Sequence, residues 1–466
     1  MYLALPTIAQ MSSYTVMQFI DRKFIASLGT QAAAAATNAG MISFSLIAFG
    51  FGVAAVVNSL VSQRYGEERF DLCGRYLWQG IWFSGVYGLL MLLLLPFGEA
   101  IFRLLGHAPD LVAMEASLMR VYLSWTLVKL VGMCCGQFLL ATNRPNANLV
   151  AAVVAVGANA VAAYALIFGH LGLPKLGVVG AAWGQNIGVT IETLILIAFC
   201  LSARSRNAFA SLDHRFRSGE FQTLLRIGFG SGLQILGDVI TWTLFAAWVV
   251  GAFGEKGMAA NSFAFGYMIT SFMPTHGLAV AVTALVGRYI GMRRPDLAMK
   301  RGHLGFVVGA VWMLACGVIF IVFREALIGF FTSDPVVLRM GTTVMVFCGI
   351  YQIFDAMYVI YSGALRGAGD TFIPAVISNI LCWSLVVGAA GAMARLAPQY
   401  GIAGPWTVAT IYGGLLGIFL IVRFGRGKWM KIHLDDSNTT AQSDTFSRLE
   451  SPLAPAISQR GEGRNL

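Results

Sequence analysis

The sequence predicts an all-α polytopic membrane protein with twelve transmembrane helices in two pseudo-symmetric six-helix lobes. Three observations carry that prediction. With 57% hydrophobic and only 12% charged residues and a mean hydropathy of +0.71, the 466-residue chain has too little polar material to cover a soluble surface. Its apolar runs are about 20 to 30 residues long, the length of a helix through the hydrocarbon core, whereas barrel strands would be near 10 and would alternate. The second half also repeats the first at a shift of 225 residues. LVSQRYGEERFD (60–71) falls on LVGRYIGMRRPD (285–296), Gly29 on Gly254, Ala34 and Ala35 on Ala259 and Ala260, and Gly52 on Gly277. GVVGAA at Gly177 recurs, one residue slipped, as GIAGPW at Gly401. Six spans per half is an even number, so the halves point the same way and are related by an axis along the membrane normal.

Polar breaks place the helices at 2–27, 31–62, 76–98, 112–141, 146–170, 177–202, 225–253, 257–287, 302–331, 336–365, 371–396 and 402–424. The first is apolar from Tyr2 without a charged lead-in, so it reads as a membrane helix and not as a cleavable signal. Residues 1–202 form the N-terminal lobe, 203–224 a basic, partly amphipathic cytoplasmic linker, and 225–425 the C-terminal lobe. Residues 426–466 are expected to be a disordered cytoplasmic tail, polar and poor in aromatics.

The net charge of +10 does not indicate nucleic acid, because basic residues collect in alternate loops. Arg64, Arg69 and Arg75, then Arg204 through Arg226, then Arg288 through Arg301, and finally Arg423 through Lys431 mark one side. The positive-inside rule makes that side cytoplasmic, with both termini there, and the expected location is a cell's inner (plasma) membrane. The seven cysteines lie mostly in apolar runs with no CxxC pair, so neither a disulfide framework nor a zinc site is indicated. Walker, nucleophile-elbow and zinc motifs are lacking. GALRGAGDT at Gly363 is without a P-loop's spacing and reads as a tight turn. No cofactor and no enzymatic activity are expected.

Polar groups within the apolar runs carry the candidate chemistry. Rising about 1.5 Å per residue from the basic flank, Asp238, His276 and Asp355 lie at ~16 to 18 Å depth, near the midplane of the second lobe. An acid in hydrocarbon costs about 2.5 kcal/mol or more, so it persists where it faces a protected interior and acts there. Two neighbouring acids can share one proton or one monovalent cation. Asp238 and Asp355 are therefore the coupling candidates, and the metal ligands if the ion is sodium. Asp21 is a third candidate, nearer its helix's outer end and followed by Arg22 and Lys23. Lys129 and Glu192, also at mid-depth, are expected to form a structural ion pair. His276, Trp242, Tyr267, Met273, Tyr351 and Tyr358 are candidates for lining a pliable, largely apolar cavity, within a larger set of aromatics and methionines that mostly serve packing. Such a cavity beside acids would suit amphipathic organic cations. The repeat does not duplicate the acids: Ser13 stands opposite Asp238, Ala246 opposite Asp21 and Leu130 opposite Asp355. That asymmetry puts the coupling site in the second lobe.

Over nearly all of residues 1–425 the chain resembles the multidrug and toxic compound extrusion (MATE) family, in its NorM-like branch. The residues that carry the resemblance are Pro6 and Asp21 before the turn at Leu28 and Gly29, SQRYG ending the second helix, and GFGSGLQILGD entering the seventh. FMPTHGLAVAVTALVGRYIG in the eighth and DAMYVIYSGALRGAGDT from Asp355 are the most specific. The resemblance implies export of drug-like, often cationic compounds against an inward flow of H+ or Na+. It also implies that an acid on the seventh helix, here Asp238 where Glu is usual, and Asp355 on the tenth serve the coupling ion. Asp21 matches the first-helix acid. In the DinF-like branch an Asn and an Asp four residues later carry the proton; here Asn159 is followed at that spacing by Ala163. The alternatives are a flippase for lipid-linked saccharides, which would need a cation-rich cavity, and a non-transport membrane scaffold. The expected partners are the lipid bilayer and small organic cations or other amphipathic drugs, with the protein monomeric.

Overall fold

The computed structural model describes residues 2–170 and 172–431; residues 432–466, most of the expected tail, lie outside the described residues. The N-terminal lobe comprises α1 (Ala4–Ala26), α2 (Thr30–Gly66), α3 (Phe70–Leu92), α4 (Gly98–Leu104), α5 (Pro109–Ser124), α6 (Thr126–Ala141), α7 (Pro145–Phe168) and α8 (Val178–Leu201). After the linker helix α9 (Ala203–Phe209), the C-terminal lobe comprises α10 (Ser218–Leu244), α11 (Gly254–Gly291), α12 (Pro295–Val322), α13 (Arg324–Gly329), α14 (Pro335–Gly367), α15 (Phe372–Leu381), α16 (Ala390–Leu396) and α17 (Ala403–Gly425).

Nine helical stretches among the described residues are long and apolar enough to cross a membrane, and α5 and α6, meeting at a 43° bend, make a tenth. One of the nine runs for 74 residues from Ser218 to Gly291. At about 1.5 Å per residue that is far too long for one crossing, and it holds two, α10 and α11, which part at Gly254, where φ is +70°. With α1, whose Gln10, Ser12, Ser13, Tyr14 and Asp21 lower its hydropathy, twelve spans result. The chain is a multi-pass membrane protein, with exposed Val86, Leu89, Val311, Val318, Ile411 and Ile418 on its outer faces.

The repeat is visible in the backbone. Glu68 and Arg293, 225 residues apart, both take left-handed conformations, at φ +61° and +55°. Gly29 and Gly254 match in the same way, as do Gly177 and Gly401. The inter-lobe contacts obey the same relation. A Cβ on Gly66 would lie 2.1 Å from the Arg288 carbonyl oxygen, and one on Gly291 would lie 2.0 Å from that of Gln63. Deeper in, a Cβ on Gly52 would meet Gly232 at 2.4 Å, and one on Gly277 would meet Thr7 at 2.8 Å. Backbones this close tolerate no side chain between them, which is why small residues gather at membrane helix crossings.

Several expected helix ends move outward; the third, seventh and ninth spans begin early, at Phe70, Ser218 and Pro295, so the last seven residues of the expected linker, 218–224, are helix. The second and eighth spans continue as helix to Gly66 and Gly291, through polar SQRYG and GRYIG, because Gln63 and Arg288 find acceptors across the seam and Arg64 one on its own turn. Gln63 Nε2 donates to the Gly367 carbonyl at 2.9 Å, Arg64 pairs with Glu67 at 2.6 Å, and Arg288 donates to the Ala141 carbonyl at 3.2 Å while lying over the Tyr65 ring. From Gly52 to Arg64 nearly every α2 residue is buried, while toward Thr30 burial becomes sparse; α11 shows the same gradient about Gly277. The lobes therefore meet along their basic halves and part toward the opposite end.

The linker is pinned down. Trp78 and Trp82 on α3 donate to the carbonyls of Ser211 and His214, and Phe209 packs against Tyr65, Phe70 and Phe138. Past α17 the chain closes on itself in a 3-10 turn, Lys428–Lys431, that buries Trp429 against Phe424. At the opposite end Asp334 caps α14. Its carboxyl is held below the usual carboxylate range by Lys256 at 2.8 Å and by the Val336 amide.

Candidate functional site

On α10, Gln234, Asp238 and Trp242 recur every fourth residue and so share one face. On α14, Tyr351, Asp355, Tyr358, Ser362 and Arg366 follow at steps of four, three, four and four, again one face. These faces meet. Gln234 Nε2 donates to Ser362 Oγ at 3.1 Å and to Tyr358 Oη at 3.5 Å, and the Tyr358 hydroxyl donates to Asp238 Oδ2. From α15, Ser378 Oγ donates to Asp238 Oδ1 at 3.4 Å, and the Cys382 thiol lies 4.0 Å away. Cys382 also donates to Tyr412 of α17 at 2.9 Å. Side chains from α14 and from the α15–π segment thus hold the Asp238 carboxylate, with Tyr412 of α17 behind Cys382. Cys382 opens a π-helical turn, Cys382–Ala389, an irregularity frequent at functional sites.

Asp355, one turn further along α14, is treated differently. It is buried, its carboxylate makes no hydrogen bond to any described residue, and Oδ2 is enclosed without a partner. Its charge and that of Asp238 act on each other, and Tyr351 senses both. A carboxylate repelled by its neighbour and unassisted by donors is costly in low dielectric. One proton or one monovalent cation between the two relieves the repulsion. Among the described residues no group of three or more His, Cys, Asp and Glu stands ready to hold a metal. The carboxylates and the nearby hydroxyls of Tyr351, Tyr358 and Ser378 are hard oxygen donors, the kind that suits an alkali cation.

Trp242 forms the apolar wall of this site. Its ring lies 5.5 Å from Phe245, 5.6 Å from Phe265 and 5.8 Å from Tyr351, with Trp406 behind. The structure therefore brings together Asp238, Asp355, Tyr351, Tyr358 and Trp242. His276 is half-buried on α11 and stacks on Phe272 at 5.6 Å; Met273 is half-buried just before Pro274. Tyr267 points elsewhere: its hydroxyl donates to the Leu327 carbonyl at 3.0 Å and its ring packs on Phe331 and Phe320.

In the first lobe, Asp21 accepts from Asn159 Nδ2 at 3.5 Å, and its Oδ1 has no partner. The ion pair expected between Lys129 and Glu192 does not form. Lys129 Nζ donates instead to the Tyr122 carbonyl at 3.1 Å and lies over the Tyr122 ring, while Glu192 accepts from the Tyr14 hydroxyl. A tyrosine on the facing helix α1 is nearer to Glu192 than the lysine of α6.

Three participants were not anticipated. Ser378, Cys382 and Tyr412 lie on apolar helices with nothing in their spacing to single them out. Arg366, half-buried one turn beyond Ser362 on the same face of α14, has its Nε enclosed without an acceptor.

Two repeated lobes, an apolar exterior and enclosed carboxylates define a secondary membrane transporter, not an enzyme. A family model described as MatE matches residues 6–165 and 239–390, and the chain belongs to that family. It is 26% identical over 393 residues to a probable multidrug resistance protein NorM from Mesorhizobium japonicum, covering 82% of this chain and 84% of the relative. It is 28% identical over 438 residues to one from Brucella suis, covering 90% and 91%. Among solved structures it superposes on a MOP superfamily transporter from Pyrococcus furiosus with a TM-score of 0.84 at 20% identity, covering 93% of this chain and 96% of that one. An outward-facing multidrug resistance MATE family transporter gives 0.83, also at 20%. At such identities the superpositions speak for the fold alone.

Proposed function

We propose that the protein is an antiporter that exports drug-like, often cationic organic compounds in exchange for H+ or Na+, by alternating access of two moving bodies, residues 1–202 and 225–425. The observation that carries this reading is the unassisted carboxylate of Asp355 beside the donor-rich one of Asp238. Such a pair gains most from a cation it can later release, and the Trp242 wall beside it suits an amphipathic organic cation through cation–π and apolar contact. The names of the relatives, multidrug resistance proteins, support the substrate class. The basic end of the bundle faces the cytoplasm of a plasma (inner) membrane, with both termini there. In this reading the present conformation, joined at the basic end, is open outward, and the chain works as a monomer.

The test is transport in proteoliposomes. Either a proton or a sodium gradient, imposed separately, drives movement of a fluorescent cationic dye such as ethidium. Asp355→Asn and Asp238→Asn abolish that movement while the proteins remain folded, and Asp21→Asn leaves it measurable. Wild-type transport by both second-lobe variants would sink the reading.

A further inference from the structure

At its basic end the α2–α11 seam opens into a cleft of about 1020 Å³. Two walls come from residues 63–69, where α2 ends, and 290–295, where α11 gives way to α12, stretches that the 225-residue repeat brings into register. One wall is therefore supplied by each lobe. The third wall, Trp429 and Met430 in the turn after α17, is not duplicated: 225 residues earlier the chain is in α9, where Ser205 accepts from Arg144. Trp429 is anchored there, 1% exposed, its Nε1 donating to the Phe424 carbonyl at 2.8 Å and its ring stacked on Phe424 at 5.2 Å. That anchor fixes where the chain leaves the bundle, with Met430 on the cleft and residue 432 two positions on.

The sequence that follows matches the chemistry of the cleft. Ile432, His433 and Leu434 precede Asp435 and Asp436. The cleft offers exposed Met292 and Met430, and its lining carries three arginines against two glutamates, with Arg69 and Arg293 exposed. Five extended residues span up to about 17 Å, so 432–436 can reach either lobe without a linker, at an effective concentration in the millimolar range. We propose that residues 432–436 of this chain seat in the cleft, apolar side chains toward the methionines and the two aspartates toward Arg69 and Arg293, as a strap across the basic ends of the lobes. Because both lobes line the cleft, a segment bound there favours the joined conformation over any in which these ends part. The strap is an intrachain brake on the transport cycle.

The experiment uses the full chain with its native cysteines replaced, in detergent and in vesicles with and without anionic lipid. Spin labels at Glu68→Cys and Ser437→Cys are expected to give one narrow, short distance, which Asp435→Lys with Asp436→Lys makes long and broad. Adding Arg69→Asp and Arg293→Asp to that reversed segment should bring the short distance back. Two exposed ion pairs move an equilibrium by about fivefold, so labels on the basic ends of α2 and α11 should show the joined population falling by about that factor in the lysine variant, with ethidium movement rising in parallel. A broad distance in the unreversed segment, or a narrow one that ignores charge reversal, overturns the proposal. Charge reversal that acts only where anionic lipid is present assigns the cleft to lipid headgroups and overturns it too. The distances require no transport, so failure of the antiport reading would leave them standing, and failure of the strap would leave that reading untouched.

Discussion

At the scale of single residues, what distinguishes the charged groups is the company each keeps. Asp370 and Arg423 form a fork at 2.8 Å on both arms, 4% and 13% exposed, fastening the turn after α14 to α17. Removing one member strands the other, so Arg423→Ala is expected to cost about 3 kcal/mol in detergent unfolding; the neutral pair Asp370→Asn with Arg423→Gln should lose clearly less. Lys129 is the opposite case. Its ammonium has only a carbonyl and a ring, with no carboxylate, so Lys129→Met should unfold within about 1 kcal/mol of wild type or be more stable. A loss as large as that of Arg423→Ala would show a counter-ion that the geometry lacks. These two cases also mark where sequence reading stops. Depth along a helix places an acid at the midplane, as it did Asp238 and Asp355, but the partner of Glu192 depends on which helix packs against α8. No spacing within a single segment reports that Tyr14 is nearer than Lys129.

At the scale of elements, the duplicated motif was legible because it is contiguous: LVSQRYG and LVGRYIG end α2 and α11, and Glu68 and Arg293 turn in the same way after them. Their extra helical turn was not legible, since Gln63 and Arg288 look like loop residues until the seam supplies acceptors. The same seam explains Gly66 and Gly291. A Cβ at either position would sit about 2 Å from a backbone carbonyl oxygen of the other lobe, a distance no side-chain shift can relieve. Gly66→Val and Gly291→Val are therefore expected to exclude the conformation described here. Spin labels on the basic ends of α2 and α11 should report a wider separation, and transport should fall more than about tenfold, since population shifts of a few kcal/mol empty a state. The pseudo-symmetry demands comparable effects from the two variants. A normal separation in either would show that the glycines are incidental.

At the scale of the whole molecule, the repeat makes a transporter out of two similar bodies, and the coupling proposed here falls in one of them because the acids are not duplicated. The contacts that must change in a cycle are those between the lobes: α2 with α10, α1 with α11, and, at the basic end, the α2–α11 seam. Ser62 and Gly287 are equivalent positions that face each other there: a Cβ on Gly287 would lie 3.0 Å from Ser62 Cβ. Disulfides favour Cβ separations of about 3.8 Å, so a small relaxation allows the bond. The native cysteines are all free and are best replaced first. In that background, oxidising Ser62→Cys with Gly287→Cys is expected to link the lobes at the basic end and stop dye transport, and a reductant to restore it. Each single variant should stay active under oxidant, because neither can form the link alone. Full transport by the linked protein would mean that the basic end need not open, and alternating access about this seam would then fail as the mechanism.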